Sequence, residues 1–420
     1  MQGRDLNDQL AAFLGRRERE MIAFRRDLHR HPELGFAEHR TTERLIEQLR
    51  AAGLHPELLA NGTGLTCDIG SADGPVVALR ADIDALPLPD EKRDVAYRST
   101  IPGLAHACGH DVHTTILLAT GIFLAQQAQA GLLPGRVRLV FQPAEELATG
   151  AQHVLEEDRL ADVDRIFALH CDPQLTLGQV GLRTGPITAA CDQVEVRLSG
   201  TGGHTARPHL TSDLVYALGK IVTEVPAVLS RRVDPRASLS VVWGRISAGF
   251  ARNAIPDEAI AEGTVRCLCD KAWQQAPGLI REVLTSVAGA YGAEVDLTYR
   301  RGVPPTVNEP TSVRMLHDAC SRTLGAEAIT TTPQSLGGED FAWYTERLPG
   351  ALVRLGTHWP TSDVPMLDLH RGTFDVDERA IGVGVHVLVA TALTALWEGG
   401  GLLEPARVGR SLLRDEHAAI

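Results

Sequence analysis

An α/β sandwich with a smaller α+β domain inserted into it is the fold this sequence predicts, and three observations carry that expectation. First, short apolar strands recur, and each leads into acidic or metal-capable residues. Residues 76–80 precede Asp82 and Asp84, residues 136–141 precede Glu145 and Glu146, and residues 165–169 precede His170. Helical segments lie between these strands, and residues at strand exits gather at one edge of an α/β sheet. Second, over residues 187–295 the pattern changes to alternating strands with two helices. Third, 420 residues exceed the usual size of one domain.

The elements follow in order. Leu6, Leu10, Phe13, Leu14, Ile22 and Leu28 recur near helical spacing, so residues 5–30 should be helical until Pro32 interrupts. Leu45, Ile46 and Leu49 share a face of a second helix that Gly53 ends. The apolar run 114–130 predicts a helix, with the polar cluster before it on a loop feeding its N-terminus. Within 187–295, strands are expected at 193–198, 239–243 and 259–267, helices at 213–229 and 272–291, and a Gly- and His-rich loop at 199–209. The flanking parts, 1–186 and 296–420, form the larger domain. The run 385–397 is too short to span a bilayer and predicts a buried helix.

A net charge of −12 argues against nucleic acid or an anionic membrane as partner. Seven scattered cysteines, at 67, 108, 171, 191, 267, 269 and 320, suit reduced thiols in a cytoplasm. Residues 1–20 are rich in charge and contain no apolar core of a secretory signal.

The densest chemistry lies in His106-Ala107-Cys108-Gly109-His110-Asp111-Val112-His113. Glycine between Cys108 and His110 lets the backbone turn so that both side chains reach one centre. Thiolate and imidazole together suit zinc, cobalt, nickel or iron. Adjacent Glu145 and Glu146 repel unless each has its own task. One can ligate a metal while the other takes a proton from water. His170 alone would more often be a satisfied buried histidine. His29 and His31 have a zinc-like spacing, but helix capping and an exposed surface are expected of them. Cys267 and Cys269 are expected to be buried strand thiols, and Asp111 and His113 to orient Cys108 and His110.

Together, HACGHDVH (106–113), FQPAEE (141–146), ALH (168–170), GGHTARPH (202–209), GGEDF (337–341) and LHRGTFDVDE (369–378) resemble the M20 metallopeptidase family. They are most similar to its amidohydrolase branch: N-acyl-amino-acid amidohydrolases, hippurate hydrolases and indole-acetyl-amino-acid hydrolases. The resemblance runs from about residue 25 to 395 and implies a metal-dependent exopeptidase-type α/β sandwich. The insert would be a lid and dimerisation domain. It further implies that Cys108, His110, Glu146, His170 and His370 hold one or two divalent metals, zinc foremost, with manganese, cobalt or nickel as alternatives. Glu145 would be general base and acid. His204, Asn253 and Arg266 would bind the carboxylate or developing oxyanion of an N-acyl amino acid. A second copy of the chain would be the protein partner.

The chain departs from the broader family where Ala81-Asp82 replaces an H-x-D motif, a change that accompanies Cys108 in this branch. Two rival readings remain: a dipeptidase or aminopeptidase, and a non-catalytic metal-binding relative. The second predicts a missing base or ligand, yet all six positions are filled.

Overall fold

A computed structural model describes residues 3–71, 74–93, 95–359 and 366–397. The chain divides into two compact units. The first is drawn from Met1–Gly185, Asn308–Thr332 and the segment from Tyr344 onward; the second comprises Pro186–Val307 and Pro333–Trp343.

The first unit is built on an eight-stranded mixed sheet. Its order is Glu57–Leu58, Leu65–Gly70, Arg136–Gln142, Val76–Asp82, Arg165–Thr176, Gly350–His358, Val180–Leu182 and Ile329–Thr331. Arg136–Gln142, Val76–Asp82, Arg165–Thr176 and Gly350–His358 run parallel, so their C-terminal ends share one edge. Register places Asp82 beside Gln142 and His170 beside Arg354. Val76–Asp82 is buried along its whole length, as a central strand covered on both faces must be. The strand expected to end near Leu169 continues to Thr176, because Gly350–His358 goes on pairing with it.

The helices His110–Gln129 and Ala380–Leu396 pack against each other and against the helix Gly3–Arg30. Both are almost wholly buried, since protein surrounds them on all sides. His110–Gln129 begins four residues earlier than the apolar run suggested. His110, Asp111 and His113 are therefore fixed on its first turn instead of on a loop.

The second unit has a four-stranded antiparallel sheet ordered Ser240–Ala248, Glu258–Cys267, Ala190–Ser199 and Glu294–Val303. Helices Leu214–Arg232 and Asp270–Gly289 share its hydrophobic core. The unit runs past the expected limit of residue 295 because Glu294–Val303 pairs with Ala190–Ser199. It also regains Pro333–Trp343, whose Ser335 exchanges backbone bonds with Ile187 and Ala189 at 2.9 and 3.0 Å. The glycine-rich stretch around His204 is not loop throughout: Gly203–His204 pairs with Ala254–Ile255 as a small ribbon. Among the described residues, no helix is long and apolar enough to cross a membrane.

Candidate metal centre

Gly109 sets the entry to the centre. Its φ is +89°, a left-handed conformation, and an added Cβ would lie 2.9 Å from the Cys171 sulfur. Only glycine fits there, and the turn it allows puts Cys108 and His110 on the same side. Cys108 Sγ lies 3.5 Å from His170 Nε2. His170 Nδ1 is 2.7 Å from the Cys171 carbonyl, so that nitrogen carries the proton and Nε2 presents its lone pair. His110 Nδ1 likewise donates to the Asp84 carbonyl at 3.0 Å, with the Asp84 carboxylate at 3.2 Å, and its Nε2 faces the cluster.

Strand exits supply the carboxylates. His110 Nε2 lies 3.9 Å from both Glu145 Oε2 and Glu146 Oε1. Glu146 N–H donates to Asp84 Oδ2 at 3.0 Å, so Asp84 fixes His110 and Glu146 together. From the far end of the chain, His370 brings Nε2 to 3.6 Å from Glu146 Oε1. His370 adopts a left-handed φ of +59°, and its N–H donates to the Ala107 carbonyl at 2.8 Å, which ties it beside Cys108.

These contacts leave two three-donor groups sharing one thiol: Cys108, His110 and His170, and Cys108, Glu146 and His370. A third group joins His110, Glu145 and Glu146. His113 is also near, but its Nε2 accepts the Cys171 N–H at 2.8 Å and its Nδ1 donates to Asp82 at 2.6 Å. With both nitrogens occupied, His113 has no lone pair to offer a metal.

Five expected metal-binding residues therefore converge with Glu145. Their electrostatics suit a cation. Burial lifts the Cys108 thiol well above its ordinary range. Burial also raises Glu146 to about 7, with Asp84 and Asp82 adding to the effect against His110. Burial opposes charge on His110, yet Asp82 and Cys108 outweigh it and raise its pKa well above the ordinary range. The cluster thus draws protons to offset an excess of negative groups, and a divalent ion would supply that charge instead. His110 Nε2 and Glu146 Oε1 are buried without a hydrogen-bond partner, which fits two donors directed at an ion. His170 is pushed well below its usual range by burial and Arg354, so it stays neutral and able to ligate.

The residues of the second unit separate into two places. His204 and Asn253 meet on the ribbon, where Ala254 pairs with His204 and Thr205 N–H donates to the Asn253 carbonyl. Both are exposed. Arg266 sits in the four-stranded sheet, its guanidinium donating to the Leu336 carbonyl at 3.1 Å.

Several expectations need correction. His29 is not at the surface: it is completely buried, with Nδ1 2.6 Å from Asp111. Only His31 bonds a helix-terminal carbonyl, that of Asp27. Asp111 does not orient Cys108 or His110, because successive helical residues point about 100° apart; it engages Arg25 and His29 instead. Asp84 takes the orienting role, and its place at a strand exit was the available signal. Arg80 occupies the first position of the missing H-x-D motif. It is buried against Asp82 at 2.6 Å and Gln142 at 2.9 Å, and as a permanent cation it cannot ligate a metal. Cys267 is buried as expected, whereas Cys269 is half-buried just before the helix Asp270–Gly289.

Known proteins bear on this geometry. Residues 78–394 match the profile of peptidase family M20/M25/M40. A putative glutamate–cysteine ligase of Rhodococcus jostii is 44% identical over 385 residues, 91% of this chain, although the match spans only 47% of that relative. An N-acetylcysteine deacetylase of Bacillus subtilis is 38% identical over 381 residues, covering 90% of this chain and 97% of the relative. A solved Bacillus subtilis structure, described as a dinuclear metal-binding peptidase from the M20 family, superposes with a TM-score of 0.79 at 36% identity, covering 92% of this chain and 99% of that one. With the family profile spanning most of its length, the chain belongs to peptidase family M20/M25/M40 and is a hydrolase of that family.

Proposed function

We propose that this hydrolase removes the acyl group from N-acyl amino acids, using divalent metal and Glu145. The observation that carries the proposal is the convergence of Cys108, His110, Glu146, His170 and His370 around one spot, buried except on the exposed His370 side, beside a second glutamate. Those five residues would hold the metal, one ion or two, with zinc foremost and manganese, cobalt or nickel as alternatives. A bound divalent ion supplies Lewis acidity, polarising the amide carbonyl and lowering the pKa of water.

The remaining chemistry belongs to the chain. Glu145 takes a proton from the attacking water and delivers it to the leaving amine nitrogen as the C–N bond breaks. Asp84 keeps His110 and Glu146 oriented throughout. His204 and Asn253 would bind the substrate's carboxylate or the developing oxyanion together, and their shared ribbon supports a joint task. Arg266 would contribute a guanidinium, which matches a carboxylate with two parallel donors. The similarity to an N-acetylcysteine deacetylase supports an N-acyl amino acid as substrate.

A homodimer through the inserted unit completes the proposal. Ser240–Ala248 stands at a sheet edge, and Val242, Ile246, Tyr216 and Phe250 on that unit are exposed apolar side chains. A cytoplasmic setting suits its free cysteines.

The deciding experiment is a hydrolysis screen with added zinc, manganese or cobalt. N-acetyl, N-benzoyl and long-chain N-acyl amino acids are offered beside dipeptides. Release of free amino acid from the N-acyl compounds, lost on chelation and restored by metal, is expected. Turnover of dipeptides alone, or full turnover after chelation, would overturn the proposal.

A further inference from the structure

Glu38 stands at the N-cap of the helix His39–Ala51, where a side-chain acceptor can cap the helix. It does not. Glu33 takes that task, accepting from Arg40 N–H at 2.9 Å and Thr41 N–H at 2.8 Å. The Glu38 carboxylate is released to point inward. It is fully buried, and its Oε1 accepts the Ala144 N–H at 2.8 Å across 106 residues of sequence.

Ala144 is an unusual residue to hold. Its φ is +53°, in the left-handed region that alanine rarely adopts. It stands directly before Glu145, so this turn decides where the Glu145 side chain leaves the strand exit. The rest of the turn is also pinned: Gly150 N–H donates to the Ala144 carbonyl at 3.2 Å and Ala148 N–H to the Glu145 carbonyl at 2.7 Å. Asp84 holds the Glu146 N–H. One buried carboxylate thus grips the peptide before the glutamate pair and another grips the peptide within it.

We propose that Glu38 is a positioning residue for Glu145, holding Ala144 in its left-handed conformation so that the Glu145 carboxylate meets His110 and the metal-ligand cluster. This rests on the reading of Glu145 as the proton-transferring group. Glu38 is not one of the metal-ligand cluster and reaches Glu145 through the Ala144 peptide. Burial and the nearby Asp84 raise its carboxyl to about 7, and Oε1 can accept from the peptide in either protonation state.

The acceptor itself is what the proposal makes essential, which sets the test. Glu38→Gln keeps a carbonyl oxygen at the same reach, Glu38→Leu has the bulk without it, and Glu38→Asp falls one methylene short. On the N-acyl amino acid identified by the screen, Glu38→Leu is expected to lose kcat by about a hundredfold with KM little changed, the scale of a misplaced reacting group. Glu38→Gln should stay within about threefold of the parent kcat, since its amide oxygen still accepts the bond. Metal content by elemental analysis should be unchanged in both. If Glu38→Leu does not fold, Glu38→Asp against Glu38→Gln makes the same comparison.

A second readout needs no turnover. Hydrogen exchange at the Ala144 amide, followed in metal-free protein, should quicken in Glu38→Leu and Glu38→Asp and stay protected in Glu38→Gln. Unchanged exchange in Glu38→Leu would overturn the positioning role whatever the enzyme hydrolyses. Equal loss of kcat in the Gln and Leu variants would overturn it as well, as would loss that tracks metal content. A fully active Glu145→Gln would instead remove the proton-transfer reading on which it rests.

Discussion

Arg25 Nε lies 2.7 Å from Asp111 Oδ2, and neither side chain is reached by solvent. This ion pair joins the N-terminal helix to the first turn of the helix that carries His110. The same guanidinium reaches Asp375 at 3.3 Å and Glu378 at 3.2 Å, just beyond His370 in sequence. Tyr97 adds its hydroxyl to Asp375 at 2.6 Å, with its ring against Arg25. One arginine therefore braces two separate chain segments that both deliver residues to the centre.

Replacing Arg25 by methionine removes the cation that the buried Asp111 and Asp375 carboxylates share, leaving them His29 and Tyr97. Loss of one partner of a buried pair costs about 3–5 kcal/mol. Urea denaturation of the metal-free variant measures this, and a midpoint equal to the parent's would show that the network contributes nothing to stability.

The two adjacent glutamates should respond differently to the same change. Glu145→Gln is expected to keep its metal and lose kcat by about 10²–10⁴, the usual scale for a missing general base. Glu146→Gln should lose metal affinity, since Glu146 faces both His110 and His370. Elemental analysis beside kinetics separates them; matching metal contents in the two variants would refute the division of roles.

Gly109→Ala places a methyl group against the Cys171 sulfur at a φ that disfavours it. The strain and the clash together should cost about 2 kcal/mol or more. Because the change lies between Cys108 and His110, metal affinity should fall too. Thermal unfolding with and without added zinc tests both, and a parent-like metal-free Tm would contradict the clash.

His386 lies buried in the helix Ala380–Leu396 with neither ring nitrogen hydrogen-bonded, and burial lowers its pKa to about 4. The unfolded chain therefore binds a proton below about 6.5 that the folded chain refuses until about 4. Stability contributed by neutral His386 is complete above pH 6.5 and falls through the window from 6.5 to 4, by at most about 3 kcal/mol. His386→Leu should flatten that part of the pH–stability curve. A slope identical to the parent's between pH 6.5 and 4 would assign the acid sensitivity elsewhere.

Much of this arrangement was legible in the sequence because the signals are local. Strand exits marked by Asp82 and Glu145, and the Cys108-Gly109-His110 turn, come from neighbours in the chain. The parallel sheet then gathers those exits on one edge, since the carboxyl ends of parallel strands lie together. Arg25, His29 and Glu38 were less legible. A charged residue within an amphipathic helix, or next to its start, ordinarily faces water, and nothing nearby announces a partner 82, 106 or 350 residues away.

By itself the sequence determined which residue types are available to bind a metal, the strands that lead to them and the glycine that lets Cys108 and His110 converge. Tertiary structure alone decided which of those residues still have a free lone pair. His110 and His170 have their Nδ1 atoms committed to backbone carbonyls and present Nε2, whereas His113 is used at both nitrogens. Hydrogen-bond partners brought together by strand pairing and helix packing set a histidine's tautomer, and that information is not carried by the spacing of histidines along the chain.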